Sequence, residues 1–200
     1  MKVGIMGGTF DPIHIGHMLV AEAARDAYQL DEVWFMPSHI PPHKQKSSVT
    51  GQMRLEMTAE AVSGHPFFRT LNVEVERGGT SYTVDTVTEL RQIYPHIQFT
   101  FIVGADMVNY LPNWHRIDEL AEMLDFIGVN RPGSDLDVKK LPVFLQEVVK
   151  IADMPLVDIS SSMIRKRAAG GQSIRYMVPD SVYDYIVRSG IYGIQPRATN

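Results

Sequence analysis

Short apolar runs that stop at glycine or proline alternate, along almost the whole chain, with stretches whose apolar residues recur every three to four positions. Strand followed by helix, repeated, points to a parallel sheet with helices on both faces, since parallel neighbours must be joined by a crossover. Lys2 to Met6 reads as a buried strand closed by Gly7-Gly8, and Leu19, Ala23, Ala27 and Leu30 mark one face of a helix from Gly16 to Gln29. Val33 to Met36 is a second strand stopped by Pro37, and Ser38 to Thr50 is a loop stiffened by Pro41-Pro42. A helix is expected from Gln52 to Val62. Thr70 to Val75 alternates and is expected to be a strand, broken by Gly78-Gly79, after which Thr83 is expected to cap a helix running to about Tyr94. Gln98 to Val103 reads as a strand ending at Gly104, Ile117 to Met123 as a helix, and Phe126 to Val129 as a strand stopped by Arg131-Pro132-Gly133. Ser134 to Lys150 fits neither period, with Pro142 limiting any helix, and Leu156 to Ile159 reads as the last inner strand. Ser160-Ser161-Ser162 opens a helix that ends at Gly170-Gly171, and a final amphipathic helix from Pro179 to Arg188 is ended by Gly190.

In sheets of this kind ligands bind beyond the carboxyl ends of the strands. The candidate site therefore follows Met6, Met36, Val103, Val129 and Ile159. With 200 residues, 44% of them hydrophobic, the chain is expected to form one domain over residues 1–200, its helical part beginning at about 160. It has no cysteine, which excludes disulfides, thiolate metal sites and a cysteine nucleophile. No apolar run nears the ~18 residues of a membrane span, and the start lacks a signal-peptide core, so no membrane partner and a cytoplasmic location are expected.

The net charge of −4 disfavours a nucleic-acid partner. Its distribution is uneven. Ser38 to Leu55 has no acid but carries His39, His43, Lys44, Lys46 and Arg54, and Ile159 to Pro179 has none but carries Arg165, Lys166, Arg167 and Arg175. Such stretches suit a small anionic ligand; their bland alternative is a solvated face.

The most informative segment is Gly7-Gly8-Thr9-Phe10-Asp11-Pro12-Ile13-His14-Ile15-Gly16-His17, between the first strand and the first helix. Gly7 and Gly8 let backbone approach a ligand closely. His14 and His17, three apart at a helix start, can share a face, and Gly16 leaves room for something flat on the helix end. Unpaired N–H groups and the positive dipole end suit a phosphate, to which imidazoles can donate. A metal held by His14 and His17 is the rival, without an obvious third ligand. The pattern is neither a Walker loop nor a plain dinucleotide fingerprint.

His14-Ile15-Gly16-His17 resembles the HxGH signature of the nucleotidyltransferase superfamily, and Ile159-Ser160-Ser161-Ser162-Met163-Ile164-Arg165 resembles its second, ISSTxIR-type motif, with Ser162 where threonine is common. Read by itself, a serine run is a helix cap offering hydroxyl and N–H donors, and Arg165, one turn on, can fork onto phosphate oxygens. Further blocks resemble the bacterial nicotinate-nucleotide adenylyltransferases over nearly the whole chain: Pro41-Pro42-His43-Lys44, Arg54 in Met53-Arg54-Leu55-Glu56-Met57, Thr80-Ser81-Tyr82-Thr83-Val84-Asp85-Thr86, Gly104-Ala105-Asp106, Trp114-His115 and Asn130-Arg131-Pro132-Gly133.

The resemblance implies a Rossmann-like, doubly wound, mostly parallel sheet of nucleotidyltransferase type. It also implies adenylyl transfer from ATP to nicotinate mononucleotide, giving deamido-NAD and pyrophosphate. The mononucleotide phosphate is itself the nucleophile, so positioning and electrostatics suffice. His14, His17, Lys44 and Arg165 would act on the phosphates. ATP would lie against Gly7, Gly8, Thr9, Phe10, His14, His17, Gly104, Asp106, Arg131, Ser161, Ser162 and Arg165. The mononucleotide would meet Lys44, Tyr82, Thr83, Asp85 and Trp114. Mg²⁺ would arrive mainly on ATP, since the chain shows no dedicated cage. Several of these residues have plainer alternatives: helix capping for Asp106, a loop surface for Arg131, core packing for Trp114 and a helix-dipole contact for Asp85. Trp34 is expected in the core. A homo-oligomer is compatible with this reading. The competing functions are the same transfer to nicotinamide mononucleotide or pantetheine phosphate, and a non-catalytic nucleotide-sensing module.

Overall fold

A computed structural model describes residues 1–41, 47–130 and 136–194. Strands β1 (Lys2–Gly8), β2 (Glu32–Pro37), β3 (Phe68–Thr70), β4 (Gln98–Gly104), β5 (Asp125–Asn130) and β6 (Val149–Asp153) form one sheet in the order β3-β2-β1-β4-β5-β6, and every pairing among them is parallel. The doubly wound α/β expectation holds. The strand order reverses between β1 and β4, which opens a crevice beyond Gly8 and Gly104.

Alternate strand residues feed two cores. Val3, Ile5, Trp34, Met36, Phe99, Phe101, Val103 and Phe126 point to one face, where α4 (Thr83–Ile93) and α6 (Ile117–Met123) supply Val84, Val87, Leu90 and Leu120. Met6, Val33, Phe35, Ile102, Ile127 and Val129 point to the other, covered by α1 (Ile15–Tyr28), α2 (Gly51–Val62), α8 (Ser161–Ala169) and α9 (Asp180–Ser189). Each fully buried aliphatic side chain contributes roughly 1.5–3 kcal/mol. Trp34 is in the core as expected, 6% exposed, its indole N–H on Glu32. No described helix is long and apolar enough to cross a membrane.

Three local expectations are corrected. Thr70 to Val75 is not one strand: pairing ends at β3, and α3 (Val73–Arg77) follows. The alternating pattern is overridden because Glu74 turns inward, 3% exposed, to accept the Thr86 hydroxyl at 2.7 Å, while Gly78 and Gly79 close the turn at φ 72° and 71°. Leu156 to Ile159 is not a strand either. The sheet edge is already taken by β6, preceded by the short helix α7 (Val143–Val148), and the candidate site follows Asp153 rather than Ile159 at that edge. Leu156 is 65% exposed, and the segment carries the chain past β5 and β4 to deliver α8 beside β1. Finally, Tyr82, not Thr83, stands at the N-cap of α4, and it makes no side-chain cap.

Candidate active site

The turn from β1 into α1 is shaped by Phe10, whose backbone takes a left-handed φ of 49° and whose ring is 2% exposed. A Cβ at Gly8 would stand 2.7 Å from that ring, and one at Gly7 would stand 2.8 Å from Phe101. Both glycines therefore make room for aromatic packing as well as for a ligand. Gly7, Gly8, Thr9, Phe10 and Asp11 all line a cavity of about 620 Å³ beyond the carboxyl ends of β1 and β4.

His14 stands at the N-cap of α1, and its backbone N–H donates to His17 Nδ1 at 3.2 Å. With Nδ1 an acceptor, the neutral His17 ring carries its proton on Nε2, as a donor. The two imidazoles stack with centroids 3.7 Å apart, and Phe10 meets His17 edge-on at 5.0 Å. His17 lines the cavity, whereas His14, 4% exposed, is not part of its wall. A Cβ at Gly16 would meet the His14 imidazole at 3.0 Å. What lies flat on this helix end is thus the protein's own ring.

The distant second motif docks directly on this turn. Ser160 caps α8 through the Met163 N–H, and the Ser161 hydroxyl donates to the Pro12 carbonyl at 2.8 Å. Arg165 Nη1 donates to the Asp11 carbonyl at 2.7 Å. Ser161, Ser162 and Arg165 share the cavity wall with His17. Two helix starts, of α1 and α8, therefore converge on one space; at α1 the Ile15 and His17 N–H groups are already donated to the Met177 and His14 carbonyls, so what α1 presents to the cavity is the His17 side chain.

Three polar residues that sequence reasoning left without a role hold this arrangement. Arg54 is 1% exposed, and its guanidinium donates to the carbonyls of Thr9, Ser38 and His39 at 2.6–2.9 Å. It ties the glycine-rich turn to the loop after β2. Asp11, 5% exposed, accepts from the Ser47 and Ser48 hydroxyls, the Ser48 N–H and the Tyr192 hydroxyl. Burial alone would raise its pKa, but the Tyr192 and serine donors outweigh it and hold the carboxyl below the usual range. Glu74 is the third; burial pushes its carboxyl up against the opposing Thr86 and Ser81 hydrogen bonds and Arg77. Asp11 and Arg54 sat within the quoted blocks, but nothing local in the sequence marks Tyr192.

The same cavity is also lined by Tyr82, Thr83, Gly104, Asp106, Trp114 and His115. Trp114 is half-buried, held edge-on by Phe101 at 5.6 Å and Phe126 at 6.2 Å, so core packing and cavity lining coexist. Asp106 is exposed in the first turn of the short helix α5 (Ala105–Val108), after Gly104 at its N-cap. Asp85 is not part of the wall; its carboxylate takes Arg116 at 3.3 Å. Lys44 and Arg131 lie outside the described residues. Among the described residues no group of three or more His, Asp or Glu side chains is placed to hold a metal ion.

A model of the cytidylyltransferase-like family matches residues 5–167. The chain is 51% identical over 193 residues to a probable nicotinate-nucleotide adenylyltransferase of Geobacillus thermodenitrificans, covering 96% of this chain and 86% of that one. It is 45% identical over 192 residues to the nicotinate-nucleotide adenylyltransferase of Bacillus subtilis, covering 96% and 98%. The fold is similar to that of Plasmodium falciparum nicotinic acid mononucleotide adenylyltransferase complexed with NaAD, with a TM-score of 0.79 at 20% identity over 97% of this chain and 98% of that one.

Proposed function

The chain belongs to the cytidylyltransferase-like family and, within it, to the nicotinate-nucleotide adenylyltransferases, and we infer that it transfers the adenylyl group of ATP to nicotinate mononucleotide, giving deamido-NAD and pyrophosphate. The observation that carries this reading is the convergence of both helix starts, with His17 and Arg165, on one cavity at the point where the strand order reverses.

In the mechanism we read from the site, a phosphate oxygen of the mononucleotide bonds to the α-phosphorus of ATP in line with the α–β bridging oxygen. That bridge breaks, and the electron pair leaves with pyrophosphate. The protein need supply no nucleophile. His17 Nε2–H and the Arg165 guanidinium would stabilise charge on the transferring and leaving phosphates, and the N–H groups at the start of α8 with Ser161 and Ser162 would hold the triphosphate. Gly104 and Asp106 are assigned to the adenosine side; Tyr82, Thr83 and Trp114 to the pyridine side. His14 supports His17 from behind. Lys44 and Arg131 keep the phosphate and adenosine roles that the resemblance gives them, and Asp85 acts at most through Arg116.

Nucleotidyltransferases of this kind use a divalent cation with ATP. We assign Mg²⁺, held on the triphosphate, where it would neutralise phosphate charge; the described side chains offer it no cage of their own. We treat residues 1–200 as one domain, with the helical part from about 160 completing the site. A cytoplasmic location and the absence of a nucleic-acid partner belong to the same proposal, the latter supported by the net charge of −4. The test is pyrophosphate release from ATP and Mg²⁺ with nicotinate mononucleotide, nicotinamide mononucleotide and pantetheine phosphate side by side. The highest kcat/KM is expected with nicotinate mononucleotide. Activity with another acceptor alone, or with none, would refute the assignment.

A further inference from the structure

Arg165 stands beside an ionised carboxylate and does not close on it. Its Nη1 is 3.9 Å from Asp11 Oδ2, while the same nitrogen donates to the Asp11 carbonyl at 2.7 Å. Paired arginine and carboxylate groups ordinarily meet at about 2.7–2.9 Å. Here the carboxylate is occupied by neutral donors instead. Oδ1 takes the Tyr192 hydroxyl at 2.6 Å and the Ser48 hydroxyl at 2.8 Å, and Oδ2 takes the Ser47 hydroxyl and the Ser48 N–H, both at 2.9 Å.

Tyr192 comes to this place from the far end of the chain. It sits in a 3-10 turn, Ile191–Gly193, in left-handed backbone at φ 57°. The turn packs against the core that α8 shares, and a Cβ at Gly193 would meet Ala169 of α8 at 3.7 Å. The turn therefore braces the helix that carries Arg165 and fills the carboxylate that would otherwise attract it. Burial and the Asp11 carboxylate both push the Tyr192 hydroxyl up, so it stays a donor.

We propose that Tyr192 is a positioning residue for adenylyl transfer: its hydroxyl occupies Asp11 so that the Arg165 guanidinium stays turned to the cavity and available to the ATP phosphates. The proposal rests on the reaction assigned above for what Arg165 meets. Without the hydroxyl, Asp11 Oδ1 is one donor short, and among the described residues Arg165, 3.9 Å from Oδ2, is the cation within 4 Å of this carboxylate.

The test is Tyr192→Phe, which keeps the ring. ATP binding, measured by calorimetry without the second substrate, is expected to weaken about tenfold, the scale of one lost hydrogen bond to a charged group. KM for nicotinate mononucleotide should stay within about twofold. Two double-mutant cycles separate capture of Arg165 from simple loosening of the tail. In an Asp11→Asn background there is no charge to draw Arg165 away, and in an Arg165→Ala background there is no guanidinium to be drawn. In each, Tyr192→Phe is expected to change ATP affinity less than about twofold. The same tenfold loss in either background, or equal losses for both substrates that track the melting temperature, would overturn the proposal, as would an unchanged single variant. The Arg165→Ala cycle decides the matter even where Asp11→Asn does not fold. A wild type that binds ATP but releases no pyrophosphate would instead refute the reaction, and the binding cycles would still judge Tyr192.

Discussion

His14 and His17 stack with 27° between their rings, and the inner one hands its backbone N–H to the outer one's Nδ1. That bond leaves Nε2 to carry the proton of the neutral His17 ring, which lines the cavity. A donor aimed at charge that grows during transfer acts mostly in the transition state. We expect His17→Ala to lower kcat by about 10²–10³, the usual loss for one such donor, with KM for ATP changed only a few fold. His14→Ala should lower kcat less, since its ring lies behind the wall. Steady-state kinetics with both substrates varied checks this; equal losses in kcat and ATP affinity for His17→Ala would contradict it.

Phe101 and Phe126 hold the Trp114 indole edge-on, and in the proposed reaction its face would carry the pyridine. Stacking on a base is worth about 0.5–1.5 kcal/mol beyond area burial. Trp114→Ala should therefore raise KM for the mononucleotide about tenfold or more and leave KM for ATP near the wild-type value. Trp114→Phe should recover part of the loss. A larger effect on ATP than on the mononucleotide would move this indole to the adenosine side.

The parts of the site that were legible in the sequence are those whose chemistry is local. The glycine-rich turn, the histidine pair and the serine cap of α8 each lie within a few consecutive residues, so spacing marks a strand end running into α1 and a capped start of α8, both of a kind that suits an anion. The scaffold beneath them is not local. Asp11 reaches Ser47 across 36 positions and Tyr192 across 181, and no periodicity encodes such a meeting. The misread strand at Thr70 to Val75 has the same cause: Glu74 finds a partner in Thr86, on another helix, and that tertiary hydrogen bond decides between two conformations that six alternating residues leave open. Leu156 to Ile159 reads as a strand because apolar alternation records partial burial, and Val157 and Ile159 are indeed half-buried, but sheet pairing needs an edge that β6 already occupies.

Arg54 concentrates an expensive burial at one point. Its charge is desolvated, and three backbone carbonyls from two segments depend on it as donor. Arg54→Met fills much of the space but leaves those carbonyls without their hydrogen bonds, so a loss of about 3–5 kcal/mol is expected. Arg54→Lys should fare little better, because one ammonium cannot reproduce the planar fork. Urea unfolding monitored by circular dichroism gives the number, and a loss below about 1 kcal/mol for Arg54→Met would show that water or neighbouring donors replace the guanidinium.

Glu74 predicts a substitution that stabilises. Its carboxyl is 3% exposed and its pKa is raised, chiefly by burial. A group that binds its proton more tightly when folded contributes fully below its unfolded pKa of about 4.5, and that contribution is lost as pH rises through the folded value. Above that folded value the ionised side chain is therefore a net cost. Glu74→Gln keeps an amide oxygen for the Thr86 hydroxyl and removes the buried charge, at the expense of the 4.0 Å attraction to Arg77. We expect the Gln variant to melt about 2–4 °C above the wild type at pH 8, the shift for roughly 1 kcal/mol in a chain of this size. The gap should shrink as pH falls toward 4, where the wild-type carboxyl is itself neutral. Calorimetric scans at pH 8, 6 and 4.5 decide it: a Gln variant that melts lower at pH 8, or a gap that widens in acid, would mean that Arg77 and Thr86 stabilise the carboxylate by more than its burial costs.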